Sequence, residues 1–358
     1  MVSVVIMAGG RGERFWPRSR KKLPKQLLSL TGDGKTMIQL TVERIKSLVE
    51  YKNIYIVTNE EFSDIISYQL PNVPTENILI EPASKNTAPC IGLAAIHIAK
   101  KNPESVMIIL PSDHIIGDKQ EFTSILNSGI EMANNGANII TIGITPGYAE
   151  TGYGYIKLGN KHNKVKNNSI FKVDKFVEKP NLEKAEKYLA SGDYLWNSGM
   201  FVCKASTMLN SMNKHMPELF KGLMKIKDAM DEDNEEEIFI NEFNKFHSIS
   251  IDYGIMEQAE QVYTIPGDFG WDDVGSWTSL ERISGTDLDG NTVMGNIISI
   301  DTKGCIIQGN GKLIATIGVE NLVVVDTVDA TLICAKDKCQ DIKKLLDELR
   351  NSNNESCL

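Results

Sequence analysis

The residues best suited to chemistry lie near the start of the chain, where a short apolar strand runs into a basic segment, VVIMAGGRGERFWPRSRKKLPKQ (residues 4–26). Gly9, Gly10 and Gly12 let the backbone turn tightly and present successive N–H groups to an anion. Seven cations lie within fifteen residues, opposed only by Glu13: Arg11, Arg14, Arg18, Arg20, Lys21, Lys22 and Lys25. The segment therefore predicts a cradle for phosphate groups, and its charge suits a triphosphate.

Two common phosphate-binding patterns do not fit this segment. The dinucleotide-binding pattern G-x-G-x-x-G would need a third glycine at position 15, which is Phe15. A P-loop would need Gly-Lys followed by Ser or Thr, and the segment has no such triplet. A glycine turn beside a solvated basic face stays open as an alternative for this stretch taken alone.

Carboxylates that could hold a metal ion follow two apolar stretches. Asp113 belongs to Pro-Ser-Asp-His directly after an apolar run, and Asp272 and Asp273 belong to the loop FGWDDVGSW (residues 269–277). Mg²⁺ prefers oxygen ligands and typically takes one or two carboxylates together with phosphate oxygens. A magnesium site built from Asp113 and one of the other two aspartates is thus possible, and a turn-forming role for Asp113 is equally open.

Two further motifs carry groups that suit a sugar phosphate. Glu178 and Lys179 end a predicted strand, where the carboxylate could meet sugar hydroxyls and the ammonium a phosphate. An exposed ion pair is the alternative. Asn197, in Trp-Asn-Ser-Gly-Met-Phe, adds an amide that could bind a hydroxyl.

The elements that must position these residues alternate between helix and strand. Helices are predicted at 36–49, 60–69, 87–100 and 121–134, and strands at 53–58, 78–81, 106–110 and 138–142. Apolar strands between helices predict an α/β domain whose mostly parallel sheet is covered on both faces. Because ligands bind beyond the carboxyl ends of such strands, residues 81–89 and 111–114 are expected on one rim.

The pattern changes after residue 151. Strands at 171–177 and 194–203 and a helix at 181–190 predict a sugar-binding subdomain on the same sheet, followed by a helical stretch at 204–245 whose acidic run 231–237 is interpreted as solvated. Short β runs separated by glycines predict a small β-rich domain after about residue 289, with a last helix at 338–349. We expect one domain at 1–288 and a second at 289–358.

Composition narrows the possible partners and compartment. The chain has 358 residues, 42% of them hydrophobic, and a net charge of −9, which favours a small anionic ligand over a nucleic-acid backbone. Six scattered cysteines without a C-x-x-C pair indicate a reducing compartment. No apolar run approaches the roughly 18 residues of a spanning helix. We expect a cytoplasmic protein with neither nucleic-acid nor membrane partners.

Eight motifs, in this order, resemble those of the mannose-1-phosphate guanylyltransferases, a family of sugar-1-phosphate nucleotidyltransferases. They are AGGRGERFWPRSRKKLPKQ, EPASKNTAP, LPSDH, TGYGYI, FVEKP, WNSGMF, SIDYGIME and GWDDVGSW, and the run ATIGVENLVVVDTVDATLICAKDK is similar to the family's terminal domain. The resemblance covers nearly the whole chain. Leu27 departs from it, standing where an aromatic residue is frequent, and the cupin-type isomerase domain of longer relatives is missing, which argues against a second activity.

The resemblance implies both a fold and a reaction. The expected fold is a Rossmann-like, mostly parallel mixed sheet covered by helices, of the nucleotide-diphospho-sugar transferase type, with a partial left-handed β-helix at the C-terminus. The expected reaction transfers GMP from GTP to α-D-mannose 1-phosphate, giving GDP-mannose and pyrophosphate, with Mg²⁺ or another divalent cation, in a homodimer. The alternatives are a uridylyl- or adenylyltransferase acting on another sugar 1-phosphate, and a noncatalytic nucleotide-sugar sensor.

The resemblance also implies residue roles. Arg14 would clamp the β- and γ-phosphates, Lys25 would bind the α-phosphate, and Asp113 and Asp273 would hold the metal. Nucleotide contacts are expected from Ala8, Gly9, Gly10, Arg11, Gly12, Glu81, Pro82, Ala83, Asn86 and Thr87, with guanine bound mainly through backbone groups of the last five. Sugar-phosphate contacts are expected from Gly154, Glu178, Lys179 and Asn197.

Overall fold

The computed structural model describes residues 1–162, 164–352 and 355–358. The chain forms two compact units that alternate along the sequence. The first unit comprises Met1–Gly9, Arg44–Pro111 and Ile116–Trp271; the second comprises Gly10–Glu43, Ser112–Ile115 and Asp272–Leu358. The division into domains 1–288 and 289–358 stays a prediction.

A nine-stranded mixed sheet forms the centre of the first unit. Its strands are β1 (Val2–Met7), β2 (Ile54–Asn59), β3 (Ile78–Glu81), β4 (Val106–Pro111), β6 (Ile139–Ile144), β7 (Tyr155–Lys161), β8 (Phe171–Val177), β9 (Tyr194–Lys204) and β10 (Val262–Gly267). Two short strands, β5 (Ile115–Ile116) and β11 (Trp271–Asp272), lie at points where the sequence passes from one unit to the other. The order in the large sheet is β3-β2-β1-β4-β9-β6-β10-β8-β7.

The sheet contains two groups of parallel strands. β3, β2, β1 and β4 run parallel, and so do β6 and β10. β9 lies between β4 and β6 and is antiparallel to both, and β7 and β8 form an antiparallel pair at the edge. The predicted mixed α/β sheet is confirmed, and the antiparallel insertion of β9 places Asn197 opposite Gly143 of β6.

Helices surround this sheet, some packed directly against its strands and others against neighbouring helices. They are α2 (Glu60–Gln69), α3 (Thr87–Lys101), α4 (Lys119–Asn134), α5 (Leu182–Ser191), α6 (Ala205–His215), α7 (Pro217–Ala229) and α8 (Glu235–Asn244), while α1 (Met37–Ile45) crosses the boundary between the units. Most residues of α3 are buried, because α3 packs against β1 and β2 as well as against α6 and α7. A helix covered on several sides needs an almost continuous apolar sequence.

The second unit contains the small β-rich domain. Its elements after residue 272 are α9 (Ser279–Ser284), β12 (Thr292–Met294), β13 (Ile297–Ile300), β14 (Ile306–Gln308), β15 (Ile314–Ile317), β16 (Leu322–Asp326), β17 (Thr331–Ala335) and α10 (Ile342–Arg350). β12, β14 and β16 pair in parallel, and so do β13 and β15. Parallel pairing of strands so near in sequence requires the chain to coil, which confirms the β-helix-like domain.

Each unit has an apolar core of its own. In the first unit the core lies between the sheet and α3, α6 and α7, and includes Ile91, Met208 and Leu223. In the second unit Phe15 and Trp277 are fully buried, with ring centroids 5.0 Å apart, in a cluster that includes β-helix residues such as Val323. The residues that follow the glycine-rich turn are thus buried in an apolar core.

Most predicted elements are confirmed, with shifts at their ends. The strands at 78–81 and 171–177 have the predicted bounds. The helix predicted at 36–49 ends at Ile45, whose carbonyl accepts hydrogen bonds from Leu48 and Val49 in a final tight turn. The predicted helical stretch 204–245 is three helices, the first ending before Met216 because the residue preceding Pro217 is disfavoured in a helix. Residues 231–237 are solvent-exposed or half-buried, as predicted.

Among the described residues, no helix is both long enough and apolar enough to cross a membrane.

Candidate active site

A cavity of about 350 Å³ lies in the second unit, beside the glycine-rich segment. Cationic, acidic and glycine residues line most of it. They are Arg11, Gly12, Glu13, Arg14, Phe15, Lys25, Asp113, His114, Asp273, Val274, Gly275 and Lys343. The structure therefore brings together four residues that were predicted to act at the phosphates or the metal: Arg14, Lys25, Asp113 and Asp273.

Lys25 occupies the centre of this group. Its side chain is only 5% exposed, and Nζ lies 2.8 Å from Asp113 Oδ2. Nζ also donates to the backbone oxygen of Asp273. Burial favours a higher pKa for the Asp113 carboxyl, but the charges of Lys25 and His114 and the hydrogen bond from Lys25 outweigh it, so the pKa is lowered. Asp113 is therefore an ionised carboxylate at neutral pH.

Asp272 and Asp273 differ in what their side chains do. Asp272 Oδ1 accepts from Val274 N at 2.7 Å and Asp272 Oδ2 accepts from Arg282 Nε at 2.6 Å. Asp272 thereby stabilises its own loop. Asp273 lines the cavity with Asp113. The position of Asp273 fits a metal ligand better, and that assignment stays a prediction.

Gly12 and Lys25 approach each other so closely that only glycine fits. Gly12 has φ of 58°, and a Cβ there would lie 2.3 Å from Lys25 Cβ and 2.7 Å from Lys25 N. Gly10 O accepts from Gln26 Nε2 at 2.7 Å. These contacts hold the glycine-rich turn against the segment that carries Lys25.

The same turn is attached to the C-terminal helix. Glu13 Oε1 lies 2.7 Å from Arg350 Nη2. Trp16 Nε1 donates to Cys357 O at 2.7 Å, and Arg20 donates to the same oxygen. Arg350 is the last residue of α10 and Cys357 lies beyond that helix, so the C-terminal segment contacts the turn on both sides of Arg14. Arg14 Nε is buried and has no hydrogen-bond partner among the described residues.

The predicted sugar-phosphate residues form a cluster in the first unit. Asn197 N donates to Gly154 O at 2.8 Å, and a Cβ on Gly154 would lie 2.8 Å from Glu178 Oε2. Lys179 Nζ pairs with Glu178 Oε1. Lys179 is 62% exposed, so its ammonium group is accessible to a ligand. Gly154, Glu178, Lys179 and Asn197 are thus neighbours, as their predicted common role requires.

Asp252 belongs to this cluster and was not predicted. Its Oδ1 accepts from Asn197 Nδ2 at 2.7 Å, and Asn197 Oδ1 accepts from Gly199 N at 3.1 Å. Burial raises the pKa of Asp252, and the charge of Glu178 acts in the same direction. Asp252 lies within the motif SIDYGIME, which was recognised without a role for the residue. Asp252 orients the Asn197 amide.

Glu81 is a buried carboxyl group beside Gly9 in the first unit. Burial raises its pKa to about 8. A Cβ on Gly9 would lie 3.4 Å from both Glu81 Oε2 and Asn59 Oδ1, while Asn59 Nδ2 donates to Gly9 O at 3.2 Å. Glu81 Oε1 and Asn59 Oδ1 are buried without a hydrogen-bond donor in the described part of the chain. A neutral Glu81 carboxyl keeps one carbonyl oxygen as an acceptor, so together with Asn59 Oδ1 it suits a ligand with N–H donors.

Three other predicted nucleotide contacts are already used by the fold. Ala8 N donates to Val57 O at 2.8 Å in the sheet. Asn86 has φ of 70°, and its side-chain oxygen accepts from Thr87 N at 2.8 Å as the N-cap of α3. Thr87 Oγ1 accepts from Ile251 N at 2.9 Å. A nucleotide role for these residues stays a prediction, as it does for Pro82 and Ala83.

A model described as nucleotidyl transferase matches residues 3–290, which is most of the chain. The chain belongs to the nucleotidyl transferase family. A second model, described as the MannoseP isomerase/GMP-like beta-helix domain, matches residues 295–349.

Several relatives of this nucleotidyl transferase share a name. The chain is 40% identical over 351 residues to the mannose-1-phosphate guanylyltransferase of Escherichia coli (strain K12), and the match covers 97% of this chain and 73% of the relative. It is 38% identical to the putative mannose-1-phosphate guanylyltransferase of Vibrio cholerae serotype O1, and the match covers 98% of this chain and 74% of the relative.

A solved structure agrees in fold along almost the whole nucleotidyl transferase chain. The crystal structure of a protein titled mannose-1-phosphate geranyltransferase, from Thermus thermophilus, superposes with a TM-score of 0.88. It is 32% identical, and the match covers 98% of this chain and 99% of that one. The predicted Rossmann-like sheet with a C-terminal β-helix-like domain is confirmed.

Sequence reasoning missed two further features of this nucleotidyl transferase. Lys343 of α10 lines the cavity, although the helix was predicted from its apolar face alone. Tyr153 packs edge-on against Trp196 and Trp271, with ring centroids 5.3 and 5.2 Å away. The three rings come from the motifs TGYGYI, WNSGMF and GWDDVGSW, whose aromatic residues were the available signal.

Proposed function

We propose that this nucleotidyl transferase transfers GMP from GTP to α-D-mannose 1-phosphate, releasing pyrophosphate and forming GDP-mannose. The observation that carries the chemistry is the cavity in which Lys25 contacts Asp113 and the Asp273 backbone beside Arg14. The specificity for guanine and mannose is inferred from the names of the relatives.

The reaction needs electrostatic help and no general base. A phosphate oxygen of mannose 1-phosphate attacks the α-phosphorus of GTP, and the bond from that phosphorus to the oxygen bridging the β-phosphate breaks, so pyrophosphate leaves with the electron pair. A phosphate monoester is largely dianionic near neutral pH because its second pKa is about 6. The protein must therefore position two anions and reduce their repulsion.

Arg14 and Lys25 are the residues proposed for that role. Arg14 would bind the β- and γ-phosphates through its planar guanidinium, and Lys25 would bind the α-phosphate. Lys25 is already oriented by Asp113 and by the Asp273 carbonyl. Backbone groups of Gly9, Gly10, Arg11 and Gly12 would complete the contacts to the nucleotide.

A divalent cation such as Mg²⁺ fits the acidic residues of the cavity. The described residues contain no group of three or more His, Cys, Asp or Glu side chains able to hold a metal by themselves. Mg²⁺ usually binds through one or two carboxylates together with substrate phosphates and water, and Asp113 and Asp273 line one cavity. When bound there, the cation would neutralise charge on the triphosphate.

Mannose 1-phosphate would bind to the cluster in the first unit. Glu178 and Asn197 offer an acceptor and an amide for hydroxyl groups, and Lys179 offers an exposed ammonium for the phosphate. Gly154 keeps the space beside Glu178 open, since any side chain would collide with Oε2. The guanine base presents adjacent N–H donors, which the unpartnered acceptors of Glu81 and Asn59 would satisfy.

The experiment that tests the function is an activity matrix. Four nucleoside triphosphates are combined with mannose 1-phosphate and other sugar 1-phosphates in the presence of Mg²⁺, and pyrophosphate release is measured. GTP with mannose 1-phosphate should give the highest rate, and Lys25→Ala should lower it to background.

The matrix also separates the alternatives. A faster reaction with UTP or ATP would identify a uridylyl- or adenylyltransferase on another sugar phosphate. Binding of GDP-mannose without turnover of any pair would identify a sensor. Either outcome would replace the proposed function.

We also propose that the protein forms a homodimer and is located in the cytoplasm. Outward side chains of the β-helix-like domain include several exposed apolar residues: Val293, Ile298, Ile300, Leu313, Ile317 and Ile333. Ile300 and Ile317 lie opposite each other in the β13–β15 pair, and adjacent exposed apolar side chains favour association with another protein surface. Sedimentation equilibrium of the wild type and of Ile298→Lys would test self-association through this domain. The cytoplasmic location rests on the cysteine pattern.

A further inference from the structure

Helix α10 carries two adjacent lysines whose surroundings differ. Ile342 and Leu346 are buried in the core of the second unit, in the cluster that contains Phe15. Lys343 follows Ile342 and lines the cavity that also contains Arg14 and Lys25. A C-terminal helix therefore contributes a cation to a cavity otherwise formed by the glycine-rich turn and two acidic loops.

The ammonium group of Lys343 is available to a ligand. Within the described ranges its side chain makes no ion pair and no hydrogen bond. Lys344, by contrast, pairs with Asp341 at 2.8 Å. Two acidic side chains of the cavity are engaged elsewhere, Glu13 with Arg350 at 2.7 Å and Asp113 with Lys25 at 2.8 Å. Asp273 also lines the cavity.

The two cavity lysines differ in solvent exposure. Lys25 is buried, whereas Lys343 is exposed. The β- and γ-phosphates leave as pyrophosphate, so they need a path from the cavity to solvent. An exposed cation therefore suits the β- and γ-phosphates.

We propose that Lys343 binds the terminal phosphates of the nucleoside triphosphate. The position of Lys343 is fixed from both ends of α10, by the burial of Ile342 and by the ion pair of Arg350 with Glu13. The proposal rests on the proposed function for the identity of the nucleotide, and on the cavity alone for the binding of a polyphosphate. It makes α10 part of the substrate site.

Calorimetric titration of the full chain with GTP, GMP and inorganic tripolyphosphate tests this proposal. Lys343→Met should weaken binding of GTP and tripolyphosphate about fivefold, as expected for one solvent-screened, charge-assisted contact. GMP affinity should be unchanged, because GMP lacks the terminal phosphates. Lys343→Arg should retain most of the GTP affinity, and Lys344→Met, the matched control, should behave like the wild type.

The outcomes separate this proposal from the proposed function. Equal affinity of Lys343→Met and wild type for GTP and tripolyphosphate would overturn it, as would an equal loss of GMP affinity or no binding of either probe to the wild type. If Lys343→Met unfolds at a lower temperature, Lys343→Arg decides the matter by keeping or losing GTP affinity. Lys343-dependent tripolyphosphate binding without GDP-mannose formation would support the proposal while refuting the proposed function.

Discussion

Lys25 Nζ and Asp113 Oδ2 lie 2.8 Å apart in the wall of the cavity, although their residues belong to separate segments of the chain. Only 5% of the Lys25 side chain is exposed, against 33% for Asp113. The lysine thus depends on its partner more strongly than the aspartate does. The ion pair links the residue proposed for the α-phosphate to one proposed for the metal.

Asp113→Asn should lower both stability and activity. The substitution leaves the buried Lys25 charge without its carboxylate, which costs about 1–3 kcal/mol of unfolding free energy. Urea denaturation measures the stability, and pyrophosphate release measures the activity. The double variant Lys25→Met with Asp113→Asn should recover stability but no activity. Substantial turnover by the double variant would show that neither residue is needed for catalysis.

Asp273→Ala and Asp272→Ala should fail in different ways. Asp273→Ala is expected to abolish Mg²⁺-dependent turnover while the thermal unfolding temperature stays close to that of the wild type. Asp272→Ala removes the acceptor of Val274 N and Arg282 Nε, so it should lower the unfolding temperature. EDTA should stop the wild-type reaction and added Mg²⁺ should restore it. Undiminished turnover in Asp273→Ala would exclude it as the metal ligand.

Gly12→Ala should abolish GTP binding, because a Cβ would lie 2.3 Å from Lys25 Cβ and displace that residue. Gly34→Ala is the matched control. Gly34 has φ of 78°, similar to 58° at Gly12, but has no atom within 4 Å of the added Cβ. Both variants place a side chain at positive φ, which costs about 1–2 kcal/mol of stability. A difference in GTP affinity between them, measured by calorimetric titration, therefore reports the collision with Lys25. Equal affinities in the two variants would contradict the importance of this approach.

Asp252→Ala should impair the use of mannose 1-phosphate. Without Asp252 the Asn197 amide loses its 2.7 Å partner and its fixed orientation. We expect KM for mannose 1-phosphate to rise about tenfold, with KM for GTP nearly unchanged, as for loss of a charged hydrogen-bond partner. Asp174→Ala, which breaks an exposed pair with Lys157, serves as control. A parallel rise in KM for GTP would point to general disruption.

The buried Glu81 should make stability depend on pH. Its pKa of about 8 exceeds the ordinary value of 4.5, so the folded protein prefers the neutral acid. The unfolded chain ionises first as pH rises, and this stability contribution is lost between about pH 4.5 and 8. Glu81→Gln has no ionisable group at this position, so its stability does not fall over this pH range for this reason. Its unfolding free energy relative to wild type should rise by about 1–3 kcal/mol from pH 5 to 8. A pH-independent difference would contradict the shift.

Local sequence patterns predicted helices and strands well where the apolar residues of the pattern are the residues that the fold buries. The strand at 78–81 has the predicted bounds because an apolar run ends there at Glu81. The antiparallel placement of β9 could not be predicted, since an apolar strand pairs equally well in either direction. Pairing partners depend on long-range contacts, which leave no period in the sequence.

Only part of the site could be predicted, because the remainder also depends on long-range contacts. Arg14, Lys25, Asp113 and Asp273 stand in motifs whose residue types suggest their chemistry, and the structure places them around one cavity. Lys343 stands in no motif, and its neighbour Lys344 has the same side chain with a different surrounding. Only the packing of α10 distinguishes the two lysines.

The sequence by itself determined the alternating α/β elements, the glycine-rich basic turn and the chemical types at the site, because those depend on local composition and spacing. The tertiary structure decided that Asp272 stabilises its own loop while Asp273 lines the cavity, that Asp252 orients Asn197, and that Lys343 lines the same cavity as Arg14 and Lys25. These choices depend on which distant groups meet, and a hydrogen bond or ion pair forms only where folding brings its partners within about 3 Å.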